Sequence, residues 1–145
     1  MIARQRLARR GFTLVELLVV AVVLAVLGAI VVPKLIGAGK PNRESSLKND
    51  LRIIRRAIQT FYNSTGYYPT QLIDLAATKA PANGLDSSGK IRAIIPSDWN
   101  GPYMLTVPND PVSGTTFNYG NGLKPGEVRS SATGNATDST AYSSW

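Results

Sequence analysis

The longest uninterrupted apolar stretch lies near the amino terminus, where residues 17–32 carry no polar side chain. With residues 12–16 included, the segment has 21 residues. At about 1.5 Å per residue, a helix of this length measures roughly 30 Å. Because this length matches the hydrocarbon core of a bilayer, the pattern predicts a membrane-inserted helix over residues 12–32.

A basic block precedes the apolar segment. The first eleven residues contain no acidic side chain and four arginines, namely Arg4, Arg6, Arg9 and Arg10. Basic residues that flank a membrane segment remain on the cytoplasmic side. The sequence therefore predicts a single pass through the membrane, with the carboxyl-terminal part of the chain outside the cytoplasm.

A second helical pattern runs over residues 43–63. Apolar residues recur there at spacings of four, three, four and three, at Leu47, Leu51, Ile54, Ile58 and Phe61. This spacing predicts an amphipathic helix. The opposite face is basic and includes Arg52, Arg55 and Arg56, which we interpret as a solvated face and not as a nucleic-acid site. Between the two helical patterns, residues 33–42 contain two prolines and two glycines, and they predict a kink at Pro33 or a flexible joint.

The second half of the chain is rich in glycine, proline, asparagine and serine and has only short apolar runs. These runs predict strands at residues 90–95, 103–107 and 115–119, and a short helix at residues 71–77. A small antiparallel sheet would cover the apolar stripe of the 43–63 helix, which gives an α+β domain over residues 43–119. The apolar-poor tail, residues 120–145, is expected to be irregular, with Tyr142 and Trp145 able to hold its end.

The amino-acid composition excludes several kinds of catalytic and metal site. The chain has no cysteine and no histidine, which excludes Cys/His zinc sites, thiol nucleophiles and Ser-His-Asp triads. The nine acidic residues are scattered, with no pair in an acid/base context. Without the four leading arginines, the net charge falls from +7 to +3, so the high isoelectric point does not indicate nucleic-acid binding. We therefore expect a protein that is not an enzyme.

Glu16 is unusual because it is a carboxylate at the start of an apolar helix. Such a group costs on the order of 2.5–3.5 kcal/mol at the membrane centre. One interpretation places Glu16 at headgroup depth, where it is solvated. The other gives it a cation from another copy of the chain, such as a free α-amino group near position 12 created by cleavage after Gly11.

The sequence GFTLVEL at residues 11–17 resembles the class III signal of type IV pilins and of the pseudopilins of type II secretion. This resemblance implies that a prepilin peptidase cleaves after Gly11 and methylates the new amino terminus at Phe12, so residues 1–11 are a leader. It also implies that Glu16 and the Phe12 amine seat each subunit in a filament. Pro33 lies where the family has a helix-kinking proline.

Later stretches resemble the major pseudopilin family of type II secretion: GYYPT at residues 66–70, WNGPY at 99–103, PNDP at 108–111 and FNY at 117–119. With the amino-terminal motif, the resemblance covers residues 9–119. It implies a pilin-like fold and a helical homopolymer that assembles from the bacterial inner membrane into a periplasmic or cell-surface filament. The implied partners are the peptidase, minor pilins or pseudopilins and an inner-membrane assembly platform.

Two alternatives remain open at this point. The chain could be the subunit of a surface type IV pilus used in adhesion, motility or DNA uptake, and only the last use implies a nucleic-acid partner. It could also be a membrane-anchored binding protein that does not polymerise, although an anchor has no use for Glu16.

The same resemblance raises the question of calcium, which this family commonly holds in its carboxyl-terminal loop. The candidate ligands are Asp110, Glu127 and Asp138, but they are too dispersed for the six to eight oxygens that calcium prefers. We therefore expect no cofactor, and we expect Asp110 to cap a turn through its side chain. A group of aromatic residues is expected to pack against the core, or else to form a contact surface: Tyr67, Tyr68, Trp99 and Tyr103.

Overall fold

The computed structural model describes residues 13–37 and 39–145, with backbone only for residue 28 and residues 30–37. The chain divides into two compact units, Met1–Gly39 and Lys40–Trp145. Each unit is described by itself below.

The amino-terminal unit contains helix α1, Leu14–Gly37. Alanine and leucine have high helix propensity, whereas the valines of this helix have a lower one because they are branched at Cβ. Across the residues that the structure describes, no helix is long and apolar enough to cross a membrane. Phe12, which begins the predicted membrane segment, lies outside the described residues.

The joint predicted at residues 33–42 is helical wherever the structure describes it. Helix α1 continues past Pro33 to Gly37, and helix α2 begins at Gly39, while residue 38 lies outside the described residues. The loss of helix that a flexible joint would produce is not found at residues 33–37 or 39–42. A joint at residue 38 and a kink at Pro33 stay predictions.

The second unit is built on α2, Gly39–Thr65. The predicted apolar stripe is confirmed, because its five members are all buried, from Leu47 to Phe61. The helix starts four residues earlier than the pattern predicted and ends two residues later. Gly66 follows the last helical residue and terminates the helix, because its φ of +74° lies in the left-handed region; its N–H donates to the carbonyl of Tyr62 at 2.8 Å.

Two small antiparallel sheets follow α2 in the chain. The first has the order β1-β2-β3, with β1 at Tyr68–Pro69, β2 at Asn83–Leu85 and β3 at Ile91–Ala93. In the second, β4 at Asn118–Tyr119 pairs with β5 at Val128–Arg129. Short 3₁₀ turns lie at Leu72–Ala76, Pro96–Asp98 and Tyr142–Ser144.

The predicted strands are only partly right. Strand β3 lies within residues 90–95 and β4 within residues 115–119, and the helix expected at 71–77 is a 3₁₀ turn. The strand predicted at 103–107 is wrong. The backbone N–H groups of Tyr103 and Met104 both donate to the carbonyl of Leu75, at 2.9 and 3.2 Å, so this segment is held by a turn and not by a strand partner.

The core extends beyond the predicted domain end at residue 119 to the carboxyl terminus. Four residues of the tail are buried with the α2 stripe: Val128, Ala132, Ala136 and Tyr142. Trp145 packs against the same cluster. The tail is mostly irregular, as expected, but it is an integral part of the domain.

Candidate functional site

Thr13 and Glu16 organise the amino-terminal end of α1. The backbone N–H of Glu16 donates to Thr13 Oγ1 at 3.2 Å, and that of Leu17 donates to the Thr13 carbonyl, also at 3.2 Å. A threonine followed three residues later by a glutamate is the spacing of a capping box. The Glu16 carboxylate also lies in the first turn, where the helix dipole favours negative charge. Sequence reasoning missed this local role, although the spacing would have revealed it.

Gly11 and Phe12 lie outside the described residues. Cleavage after Gly11, methylation of Phe12 and the pairing of its amine with Glu16 therefore stay predictions. Glu16 itself is exposed, and none of the ion pairs formed within the described ranges includes it.

The described side chains of α1 form an exposed apolar surface. Their large apolar members are exposed by 49% at Val20 to 79% at Leu14. Soluble monomers rarely expose contiguous apolar patches larger than a few hundred Å². Such a surface marks a site of contact with a membrane or with protein.

Asp110 is fully buried and holds together two distant loops. Its Oδ1 accepts hydrogen bonds from the backbone N–H groups of Val112 at 2.8 Å and Ser113 at 3.2 Å. Its Oδ2 accepts from the Ser130 hydroxyl and from the Ser131 N–H at 3.0 Å. Burial raises the pKa of Asp110, but these hydrogen bonds together outweigh burial and hold the pKa below its ordinary value. The predicted turn-capping role is confirmed, and the link to the tail adds to it.

The other two candidate calcium ligands have different partners. Glu127 pairs with Arg129, and Asp138 accepts from Thr140 and lies 3.4 Å from the Lys48 ammonium. Within the described ranges, no group of three or more acidic side chains is arranged to hold a metal ion. The structure thus gives each of the three carboxylates its own protein donors and does not gather them into one site.

Glu44 is a residue that sequence reasoning missed. It is only 7% exposed, and its Oε1 accepts from the Thr137 N–H at 3.0 Å, the Thr137 hydroxyl at 3.1 Å and the Tyr142 hydroxyl at 2.7 Å. The hydrogen bond from Tyr142 is the main cause that lowers the pKa of Glu44, against the effect of burial. Glu44 lies three residues before Leu47, so it extends the apolar stripe of α2 by one position, and a carboxylate at such a position was the signal of a buried partner.

The aromatic group packs as expected. Tyr67, Tyr68, Trp99 and Tyr103 are partly buried against the core. The rings of Phe61 and Tyr103 meet edge to face with centroids 5.4 Å apart, and those of Trp99 and Tyr103 do so at 6.1 Å. Tyr103 also accepts a hydrogen bond from the Asn100 N–H at 3.0 Å.

The arginines on the basic face of α2 have different roles. Arg52 and Arg56 are exposed, as a solvated face predicts. Arg55 instead donates through Nη2 to the carbonyl of Val128 at 3.1 Å, and so it fastens the tail to the helix.

An apolar amino-terminal helix, followed by a helix packed on small antiparallel sheets, defines an α+β protein of the pilin-like class. Two family models match the chain. The prokaryotic N-terminal methylation motif matches residues 6–32, and the type II secretion system protein G model matches residues 34–140. The chain belongs to the type II secretion system protein G family.

Curated relatives agree with this assignment. The type II secretion system core protein G of Klebsiella michiganensis is 28% identical over 128 residues, which covers 84% of this chain and 90% of the relative. The protein of the same name from Klebsiella pneumoniae is 30% identical over 106 residues, covering 69% and 76%. That from Vibrio cholerae is 29% identical over 132 residues, covering 86% and 90%. No solved structure gives a significant match.

Proposed function

We propose that this chain is the major pseudopilin of a type II secretion system, a structural subunit that polymerises into a filament. The observation that carries the proposal is the order of the two family matches, with the methylation motif directly followed by the protein G region. A surface type IV pilus is the less favoured alternative, because the curated relatives carry the protein G name. In a non-polymerising anchored protein, the local role of Glu16 in the first turn of α1 would be its sole function.

Processing prepares the subunit for assembly. In the proposal, a prepilin peptidase cleaves after Gly11, removes the four leader arginines and methylates Phe12. The uncleaved chain waits in the inner membrane with its second unit in the periplasm. Removal of the leader abolishes the basic block that holds the amino terminus on the cytoplasmic side and exposes a new positive charge at Phe12.

Assembly then follows from the chemistry of α1. Its apolar side chains leave lipid for the equivalent helices of neighbouring subunits, and the Phe12 amine pairs with Glu16 of an adjacent copy. Because an unpaired carboxylate in an apolar bundle is costly, this pair sets the register between subunits. Head-to-tail contacts of this kind do not close, so they generate a filament. Minor pseudopilins and an inner-membrane assembly platform are the proposed partners, and the energy of assembly comes from a separate machine.

Intact mass and amino-terminal sequencing of the protein from native membranes test the proposal. The expected chain begins at N-methylated Phe12. A chain that begins at Met1, from a host with an active prepilin peptidase, would contradict it. Imaging of sheared cell-surface material then separates the two filament types, because long surface fibres in wild-type cells would favour the pilus alternative.

A further inference from the structure

We infer that the carboxyl-terminal segment is held on α2 by a set of protein side chains in place of a bound cation, and that the domain folds without calcium. We call this set the C-terminal clasp. Its α2 members are Lys40, Glu44 and Lys48, and its partners in the carboxyl-terminal segment are Asn135, Thr137, Asp138, Tyr142 and Trp145. The inference does not depend on filament assembly.

The α2 members of the clasp lie on one side of the helix, because residues four apart in a helix are neighbours on its surface. Lys40 Nζ donates to the carbonyl of Asn135 at 3.2 Å. Lys48 Nζ lies 3.4 Å from Asp138 Oδ2 and 4.0 Å from the centroid of the Trp145 ring. Two cations on α2 thus meet a carbonyl, a carboxylate and an aromatic face of the carboxyl-terminal segment.

Glu44 is the central contact of the clasp. A buried carboxylate is costly unless hydrogen bonds satisfy it, and Glu44 accepts three, from two groups of Thr137 and from the Tyr142 hydroxyl. Hydrogen bonds to a charged acceptor are stronger than neutral ones. The pair formed by Lys48 and Asp138 is about half exposed and contributes little by itself. We therefore assign the main stabilising role to Glu44.

The carboxyl-terminal segment also closes on itself. The N–H of Ala136 donates to the carbonyl of Thr140 at 2.8 Å, and that of Tyr142 donates to the carbonyl of Gly134 at 3.1 Å. Trp145 Nε1 donates to the Thr140 hydroxyl at 2.7 Å. The loop therefore has its own hydrogen bonds, and the clasp needs only to dock it.

The acidic groups of this region do not fit a calcium site. Calcium takes six to eight oxygen ligands, several of them carboxylates. In the clasp, Glu44 Oε1 already accepts from three donors. Asp138 Oδ1 accepts from the N–H and the hydroxyl of Thr140, and the Lys48 ammonium lies beside Asp138 Oδ2. A metal ion would have to displace these donors and approach the Lys48 charge.

Thermal unfolding of the full-length chain in detergent tests this inference, with one sample in EDTA and another in millimolar calcium. We expect the two melting temperatures to agree within about 1 °C. If the domain had a calcium site, a free calcium concentration about 100 times the Kd of that site would raise the melting temperature by roughly 10 °C. A rise of that order, or calcium binding near one equivalent in equilibrium dialysis, would overturn the inference.

Variants test the clasp itself. Glu44→Gln keeps the size of the side chain but removes its charge, and Tyr142→Phe removes one donor. Each should lower the melting temperature by about 5 °C, equally in EDTA and in calcium, and should speed removal of the last residues by carboxypeptidase. Asp98→Asn, on an exposed 3₁₀ turn, is the matched control. If Glu44→Gln fails to fold, the milder variant Tyr142→Phe tests whether the clasp stabilises the domain. Unchanged melting and unchanged carboxypeptidase release in Tyr142→Phe would overturn the assignment.

Discussion

Asp110 and Ser131 are 21 positions apart in the chain, and the backbone N–H of Ser131 donates to Asp110 Oδ2 at 3.0 Å. The same carboxylate accepts from Val112, Ser113 and Ser130. One buried side chain therefore organises its own turn and attaches the tail to it. Both loops are therefore ordered by one acceptor that serves several protein donors.

Replacing Asp110 by asparagine should destabilise the domain by about 2–3 kcal/mol. The asparagine amide would turn an NH₂ group toward hydrogen-bond donors, and at least one buried donor would be left unsatisfied. Urea unfolding of the full-length chain in detergent measures the loss. Asp98→Asn is the control, because Asp98 is exposed. Equal unfolding midpoints for both variants would contradict the role of Asp110.

Acid should weaken the same contact. The pKa of Asp110 in the folded state is held below its ordinary value of 3.8 by hydrogen bonds that together outweigh burial. A depressed pKa in the folded state contributes stability above the unfolded pKa, and that stability is lost as the pH falls through the folded pKa.

The difference in unfolding free energy between the native chain and Asp110→Asn should therefore be constant from pH 7 to about pH 5 and should shrink below about pH 4. Measuring the difference removes contributions from carboxylates that Asp110 does not influence. Asp50 is not one of them, because its pKa is raised first by burial and then by the charge of Asp110. A difference that stays the same down to pH 2.5 would argue against an ionised Asp110.

Gly126 lies against the ring of Tyr68. It has a φ of +79°, and a Cβ at this position would overlap two carbons of that ring. Gly126→Ala should therefore cost more than the roughly 1–2 kcal/mol of left-handed backbone strain alone. Gly120 provides the control, because its φ is +78° and a Cβ added there would meet no atom within 4 Å beyond the adjoining residues. In thermal unfolding, the melting temperature of Gly126→Ala should be clearly lower than that of Gly120→Ala. Equal melting temperatures would show that the Tyr68 ring moves aside freely.

Glu16→Leu should leave membrane insertion intact and reduce filament yield by more than about tenfold. The leucine removes the proposed partner of the Phe12 amine, and about 1.4 kcal/mol lost per contact already weakens association tenfold. Membrane fractionation measures insertion, and electron microscopy of sheared material from an overproducing strain measures yield. Val15→Leu is the control, since it keeps the charge. Normal filaments from Glu16→Leu would refute the pairing.

The sequence predicted α2 well because a 3.6-residue period repeated through five buried positions, from Leu47 to Phe61, leaves little ambiguity. The strands have two or three residues each, too few for an alternating pattern to emerge. The burial of tail residues in the core was not predicted, for a different reason. The buried apolar residues of the tail, such as Val128 and Tyr142, are isolated in the sequence. They are placed by contacts that no hydropathy pattern reports: Arg55 donates to the Val128 carbonyl, and the Tyr142 hydroxyl donates to Glu44.

The position of Trp145 against Lys48 has a practical consequence for labelling. A peptide tag or fluorescent protein fused after Trp145 would start beside α2 and compete with the contacts of the last residues. Ser87, in the exposed turn between β2 and β3, offers an alternative attachment point. Because the chain contains no cysteine, Ser87→Cys would introduce its single thiol, and a dye could be attached there without protecting any other position.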